Sequence, residues 1–278
     1  MIKSILLPVD GSVYTDAQVK YAMRFARACG SRLKAISIVD IRYFEWAHVM
    51  STDGFVPVFP STLYQEELQK LIESKAQAVL DKCAEMFAKE GMDFELERIS
   101  GPPVDVICEK AVLADLIIMG ARGEFAKWRR RMVGATLDAV VRQCNKPILI
   151  TTQEYQDISR ILFAYDGSDK ANKAMQLAGF CASKLAVPLA ILSVHDKDAF
   201  RNKYLEEAKA YLDAYDIPLE LVGTGGNPEK EIIRVAEEKK CGLIIMGAYG
   251  HSRIREAILG STTDQVIRTT STPVLLGK

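Results

Sequence analysis

The stretch LIIMGAYGHSRIREAILGST, residues 243–262, holds residue types that can grip a phosphate without any nucleophile. An apolar run ends at Gly247, Gly250 follows after two residues, and nine residues later come Gly260, Ser261 and Thr262. Glycines at a strand end permit a sharp turn and let a ligand approach the backbone closely. A helix opening at Gly260 presents free N–H groups and the positive end of its dipole, the conditions that hold an anion. Ser261 can cap that helix, with Asp264 as a capping-box partner, or offer its hydroxyl to a phosphate oxygen. His251, Arg253 and Arg255 lie in the nine-residue connection, where cations offset phosphate charge. The stretch is not a Walker A loop, because no Gly-Lys-Ser/Thr occurs, and GTGGNP at 223–228 does not meet the GxGxxG fingerprint.

The elements that must position these residues repeat. SILLPVDGS (4–12) matches RILFAYDGS (160–168), DLIIMGARG (115–123) matches GLIIMGAYG (242–250), and NKPILI (145–150) matches STPVLL (271–276). Three landmarks in the same order define two copies of one unit. We expect domains over 1–152 and 158–278, joined within the polar stretch 151–159. Hydrophobic patterning gives strands at 5–9, 33–39, 94–99, 116–119 and 147–150 in the first half. Its helices fall at 16–29, 66–90, 104–113 and within 134–144. The second half repeats the course, with strands at 161–165, 189–194, 219–222, 243–246 and 274–276. Its helices fall at 171–184, 201–215, 228–239 and 262–269. Such alternation predicts an α/β fold, each half a parallel sheet covered by helices on both faces. Ligands of such sheets bind outside the carboxyl ends of the strands, where both the Asp-Gly-Ser loops and the glycine loops fall.

Composition sets the outer bounds. The chain has 278 residues, 49% of them hydrophobic, enough for two ordinary cores. Basic and acidic residues balance at 36 each, so no general attraction to nucleic acid or to an anionic membrane is expected. No apolar run reaches the length of a membrane span, and Pro8 and Asp10 interrupt the opening apolar run too early for a signal peptide. Cys29, Cys83, Cys108, Cys144, Cys181 and Cys241 form neither a CxxC pair nor a metal spacing, and read as reduced thiols of a cytoplasmic protein. We therefore expect no metal site built from the chain.

The run MGAYGHSRIREAILGST resembles the nucleotide-binding signature of the universal stress protein family: GxxG, nine residues, then Gly followed by Ser or Thr. The resemblance covers the whole chain as two tandem copies. It implies a five-stranded, doubly wound parallel domain in each half, of the adenine nucleotide alpha hydrolase-like type. It further implies an adenine nucleotide (ATP, ADP or AMP, with Mg²⁺ as an accompanying ion) held between the first loop, the end of the second strand and the glycine loop. Carried over residue by residue, the second half offers Ala164, Asp166, Val194, Met246, Gly247, Gly250, His251, Gly260, Ser261 and Thr262. Ala164 departs from the family's Pro, which the first half keeps at Pro8. Single-domain members commonly dimerise through the last strand, so residues 147–150 and 274–276 are expected to pair within the chain as a pseudo-dimer. The same strands would also offer a surface for homodimerisation.

The first half departs further. A weaker second site would draw on Pro8, Asp10, Val39, Gly120, Gly123, Gly134 and Thr136. Ten residues rather than nine separate Gly123 from Gly134, and Ala135 stands where Ser261 stands in the other copy. The connection EFAKWRRRMV carries Lys127, Arg129, Arg130 and Arg131 around Trp128, a solvated or ion-paired face. Asp10 to Gly120 spans 110 positions and Asp166 to Gly247 spans 81, the excess lying mostly in 41–67, read as an ordered surface loop. Asp10 and Asp166 also suit simple turn formation, and His195 an ordinary surface position. No catalytic constellation is present. The function expected is an adenine-nucleotide-binding stress or signalling protein with an unidentified protein partner. The alternatives are a slow ATPase or phosphotransferase of the same fold and a nucleotide-independent scaffold.

Overall fold

In the computed structural model, residues 1–40, 62–123, 134–248 and 260–278 are described. Residues 41–61 of the long insert, the basic run 124–133 and the connection 249–259 lie outside them. Strand β1 (Ser4–Pro8) shows why the sheet forms. Ile5 and Leu7 point into one apolar layer and Leu6 into the other, and all three are fully buried. A strand apolar on both faces belongs inside a parallel sheet covered on both sides.

The first half contributes β1, β2 (Arg32–Val39), β3 (Phe94–Ser100), β4 (Leu116–Gly120) and β5 (Ile148–Thr151). The second contributes β6 (Ile161–Ala164), β7 (Leu189–Val194), β8 (Leu219–Thr224), β9 (Leu243–Gly247) and β10 (Val274–Gly277). They join into one ten-stranded sheet in the order β3-β2-β1-β4-β5-β10-β9-β6-β7-β8. Pairing is parallel within each half and antiparallel between β5 and β10, where Leu275 faces Leu149 and the flanking pairs are Val274 with Ile150 and Leu276 with Ile148. Exchanging the two halves maps this register onto itself, so a local two-fold axis passes through the Leu149–Leu275 pair. Both ladders of β5 and both of β10 are taken within the chain.

Among the described residues, four helices cover one face: α1 (Thr15–Cys29), α2 (Thr62–Lys89), α5 (Asp169–Leu185) and α6 (Asp198–Leu212). The other face carries α3 (Pro103–Ala111), α4 (Ala135–Gln143), α7 (Pro228–Glu238) and α8 (Ser261–Thr269). Two helices begin three or more residues ahead of the sequence pattern. Helix α2 begins at Thr62, ahead of residue 66. Helix α6 begins at Asp198, ahead of residue 201, and gives way to a 3₁₀ turn, Asp213–Tyr215, closed by Asp216 at φ 52. Asp tolerates that left-handed conformation through local hydrogen bonding, so the chain can turn there without glycine.

The halves are also tied outside the sheet. Arg24 Nη2 donates to the Leu185 carbonyl across one face (3.3 Å). On the other, Lys278 Nζ donates to the Val141 carbonyl in the last turn of α4. Burial pushes the Lys278 ammonium down to about 8 from its ordinary 10.5. Between those values the unfolded chain binds more protons, so this group makes stability rise as pH goes from about 8 to 10.5. Lys278→Met should flatten that rise in a series of denaturant titrations over this range. The repeat supplies a second prediction. Gly30 ends α1 at φ 65 and its counterpart Ala186 ends α5 at φ 55. A left-handed Ala costs about 1–2 kcal/mol, more than the entropy lost with Gly. Ala186→Gly should therefore stabilise the protein by about 0.5–1 kcal/mol in urea unfolding.

Candidate functional site

Each half has one topological switch point. The chain leaves β1 toward β2 and β3, then crosses back to β4 on the other side; β6, β7, β8 and β9 repeat this. The helices that follow β6 and β9 lie on opposite faces of the sheet, so the switch point, where ligands of such sheets bind in a crevice, falls between the carboxyl ends of these two strands. The strands of the two halves run in opposite senses, so the two crevices open at opposite ends of the sheet.

On one side of the second crevice runs Tyr165-Asp166-Gly167-Ser168. Asp166 Oδ1 accepts from the Ser168 amide (3.0 Å), a side-chain-closed turn. Gly167 sits at φ +75, and a Cβ there would stand 2.4 Å from the Tyr204 ring. Ser168 Oγ accepts from the Ala171 amide (3.2 Å) and caps α5. Asp10 closes the same turn in the first half, accepting from the Ser12 amide (2.9 Å), but the cap of α1 is Tyr14, which makes no side-chain bond to it. The turn chemistry of both Asp-Gly-Ser loops is thus present. Tyr165 donates its hydroxyl to Asn172 Oδ1 (2.7 Å). Burial, then the Glu207 and Asp166 carboxylates, push that phenol up, so it stays a neutral donor.

Ala164 pairs in register with Leu192, and Val194 ends β7 at the same mouth. The half-buried His195 is engaged locally: its Nδ1 accepts from the Lys197 amide (3.0 Å) and its ring lies 5.0 Å from that of Phe200.

The end of β9 and the start of α8 form the other side. Met246 is buried and Gly247 ends β9. A Cβ at Gly247 would lie 3.0 Å from the Ala171 amide nitrogen, so the first turn of α5 can come this near only to glycine. Thr263 Oγ1 donates to the Gly247 carbonyl (3.2 Å) from a buried position on α8. This bond fixes the end of β9 against the start of α8. Gly260 occupies the cap position with no side-chain cap, and Ser261 is the first, exposed residue of the helix. Two sequence-based roles are thereby corrected. Ser261 does not cap α8, because Gly260 holds that position, and Asp264 closes no capping box, because its carboxylate meets Arg268 Nε at 2.6 Å. The amides at the start of α8 are left without a side-chain cap, beside Thr262, and favour an anion. Gly250 and His251, with Arg253 and Arg255, lie outside the described residues.

The first half builds its mouth differently. A Cβ at Gly120 would lie 2.6 Å from that of Tyr14, and one at Gly123 would lie 2.9 Å from Asp10 Oδ2. Gly134 donates its amide to the Ala121 carbonyl (3.0 Å), and α4 opens at Ala135 with Thr136 next. Gln18 Nε2 reaches the carbonyls of Pro8 (3.0 Å) and Ile118 (3.3 Å), bridging the floor between β1 and β4. Val39 ends β2 and accepts from the Gly101 amide (3.0 Å). Sequence reasoning missed Thr263 and Gln18. Both are polar residues at apolar positions of an amphipathic helix, and that is the signal that marks them.

A ten-stranded doubly wound sheet, mostly parallel and built from two repeated halves, defines a tandem α/β protein. The universal stress protein family profile matches it twice, over residues 1–152 and 157–278. A universal stress protein of Synechocystis sp. is 32% identical, with 99% of each chain covered. Another from Mycolicibacterium smegmatis is 22% identical, over 98% of this chain and 96% of that one. The crystal structure of a universal stress protein from Archaeoglobus fulgidus superposes with a TM-score of 0.76 at 25% identity, covering 99% of this chain and 98% of that one. The chain belongs to the universal stress protein family. Among the described residues no helix is long and apolar enough to cross a membrane, and no group of three His, Cys, Asp or Glu converges as for a metal ion.

The Gly167 contact gives a stability test. Gly167→Ala should lose at least about 1 kcal/mol in urea unfolding, from the left-handed backbone and the Tyr204 collision together. Adding Tyr204→Ala should not restore the backbone part.

Proposed function

We propose that this protein binds an adenine nucleotide in the crevice of its second half and uses occupancy as a signal in the stress response. One observation carries the reading: the start of α8 has no side-chain cap, and Thr263 holds it against the glycine that ends β9. Phosphates of ATP, ADP or AMP would meet the amides after Gly260, with the hydroxyls of Ser261 and Thr262 beside them. Gly247 lets the first turn of α5 close against the end of β9 and so sets the two lips of the site together. Val194, Ala164 and Met246 would flank the base, and Asp166, at the opposite lip, would face base or ribose. Gly250 and His251 are assigned to the same site from the sequence motif. Mg²⁺ would arrive on the phosphates, which supply many of its oxygen ligands.

The first half supports binding less well. Its Gly134 amide is already used by Ala121, Ala135 replaces Ser261, and Gln18 bridges strands where the second half has Ala174. The route to a signal is short. Helix α8 leads through residues 270–273 into β10, and β10 forms the junction with the first half. A phosphate at one end of α8 is thus one helix from the seam between the halves. The six free thiols support a reducing, cytoplasmic setting.

Calorimetric titration of the stripped protein with Mg-ATP should show one nucleotide per chain. Gly260→Arg should abolish binding while leaving the circular dichroism spectrum unchanged. Thr263→Val should weaken it by up to about ten-fold, the loss of one hydrogen bond that positions the helix. Two nucleotides per chain would assign a working site to the first half as well. No heat at millimolar ATP would overturn the reading.

A further inference from the structure

A cleft of about 300 Å³ lies at the carboxyl end of the first half, where the second half's β10 begins. It is separate from the crevice of the second half. Its walls include Tyr14, Arg122, Thr152 and Glu154 from the first half and the junction, and Ile267 and Arg268 from the end of α8. The local two-fold axis tells what such a cleft holds. Through the β5–β10 register it relates Thr152 to Lys278 and Ile267 to Val141.

At the Lys278 end the position is filled by the chain itself. The Lys278 ammonium, on its alkyl stem, donates to the Val141 carbonyl. That carbonyl lies in the last turn of α4, where the helix leaves acceptors unserved and its dipole favours a cation. At the other end the corresponding residue is the short Thr152, whose hydroxyl turns to the Glu154 carbonyl (2.7 Å). The cleft stands where the lysine stem would run. The carbonyl of Ile267, in the last turn of α8, is the equivalent acceptor, and the exposed Glu154 lines the same cleft. Arg268 does not spoil this, because Asp264 pairs with it at 2.6 Å, as Asp138 pairs with Arg142 in the other copy. The first half's wall adds Arg122, a cation with no counterpart at the Lys278 end among the described residues. A cleft with an ammonium-type pole and an Arg pole suits a ligand bearing both charges.

The geometry points to a binding site for a small zwitterion: a primary ammonium on a short alkyl stem, with a carboxylate at its other end. The ammonium takes the place at α8 that Lys278 takes at α4, and the carboxylate pairs with Arg122. The volume equals that of about ten waters at roughly 30 Å³ each, enough for an amino acid of about nine heavy atoms. The site shares no residue with the candidate nucleotide site of the second half.

The probe is 6-aminohexanoate, titrated into the full chain by calorimetry, with hexanoate and hexylamine as single-pole controls. One equivalent should bind, and each control should bind at least about ten-fold more weakly, having lost one charge-assisted contact. Thr152→Lys, which copies the arrangement at Lys278, should fill the cleft and abolish binding. Should that variant not fold, the wild-type complex decides the matter: nuclear Overhauser contacts from the probe's methylenes to the Tyr14 ring and the Ile267 methyls are expected. No binding, equal binding of the controls, binding that survives Thr152→Lys, or a bound probe without those contacts would each overturn the proposal.

Discussion

The antiparallel pairing of β5 with β10 is the constraint on which the rest of the structure depends. Each half alone would end in a short, fully buried apolar strand with one row of unpaired amides and carbonyls. An apolar edge of that kind invites pairing with another chain. Here the two edges satisfy each other, so the backbone bonds are made and the apolar side chains covered in a single step. The outer edges fall instead on β3 and β8, strands of alternating exposure with carboxylates engaged by lysine and arginine. Closing the seam also continues both helical layers across the whole molecule.

Joining two copies about a local two-fold axis sets the carboxyl ends of their parallel strands at opposite ends of the sheet. Each crevice therefore borders the amino-terminal side of the other half's last strand. A ligand at the carboxyl end of the first half's strands is next to the end of α8, while the start of α8 faces the second half's crevice. One helix thus spans the distance between the candidate nucleotide site and the junction. Its two ends carry opposite dipole charge, which suits an anion at Gly260 and a cation near Ile267.

Duplication let the copies diverge at equivalent positions while the frame stayed fixed. Gln18 corresponds to Ala174, Leu137 to Thr263, Thr152 to Lys278 and Gly30 to Ala186. The first two exchanges place the polar anchoring group on a different element in each half. In the first half it bridges β1 and β4, and in the second it ties β9 to α8. The third fills one end of the junction with an ammonium and leaves the other open.

Much of this was legible in the residues. The repeated landmarks gave two copies, the two-sided apolar strands gave a buried parallel sheet, and the glycine spacing marked the loop after β9. These features are local, because patterning and turn chemistry act over a few residues. Other decisions needed the tertiary structure. Ser261 looked like a cap until Gly260 took that position, and Asp264 looked like its partner until Arg268, one turn on, claimed the carboxylate. Thr263 gained a role only when the end of β9 came within reach of its hydroxyl. Lys278 gained meaning only when the seam brought it to the end of α4 in the other half. Sequence fixes what each residue can offer through its chemistry and spacing. Which partner receives it is decided in the folded chain, whether that partner is one turn away, as for Asp264 and Arg268, or 137 residues away, as for Lys278 and Val141, which only the folded sheet brings together.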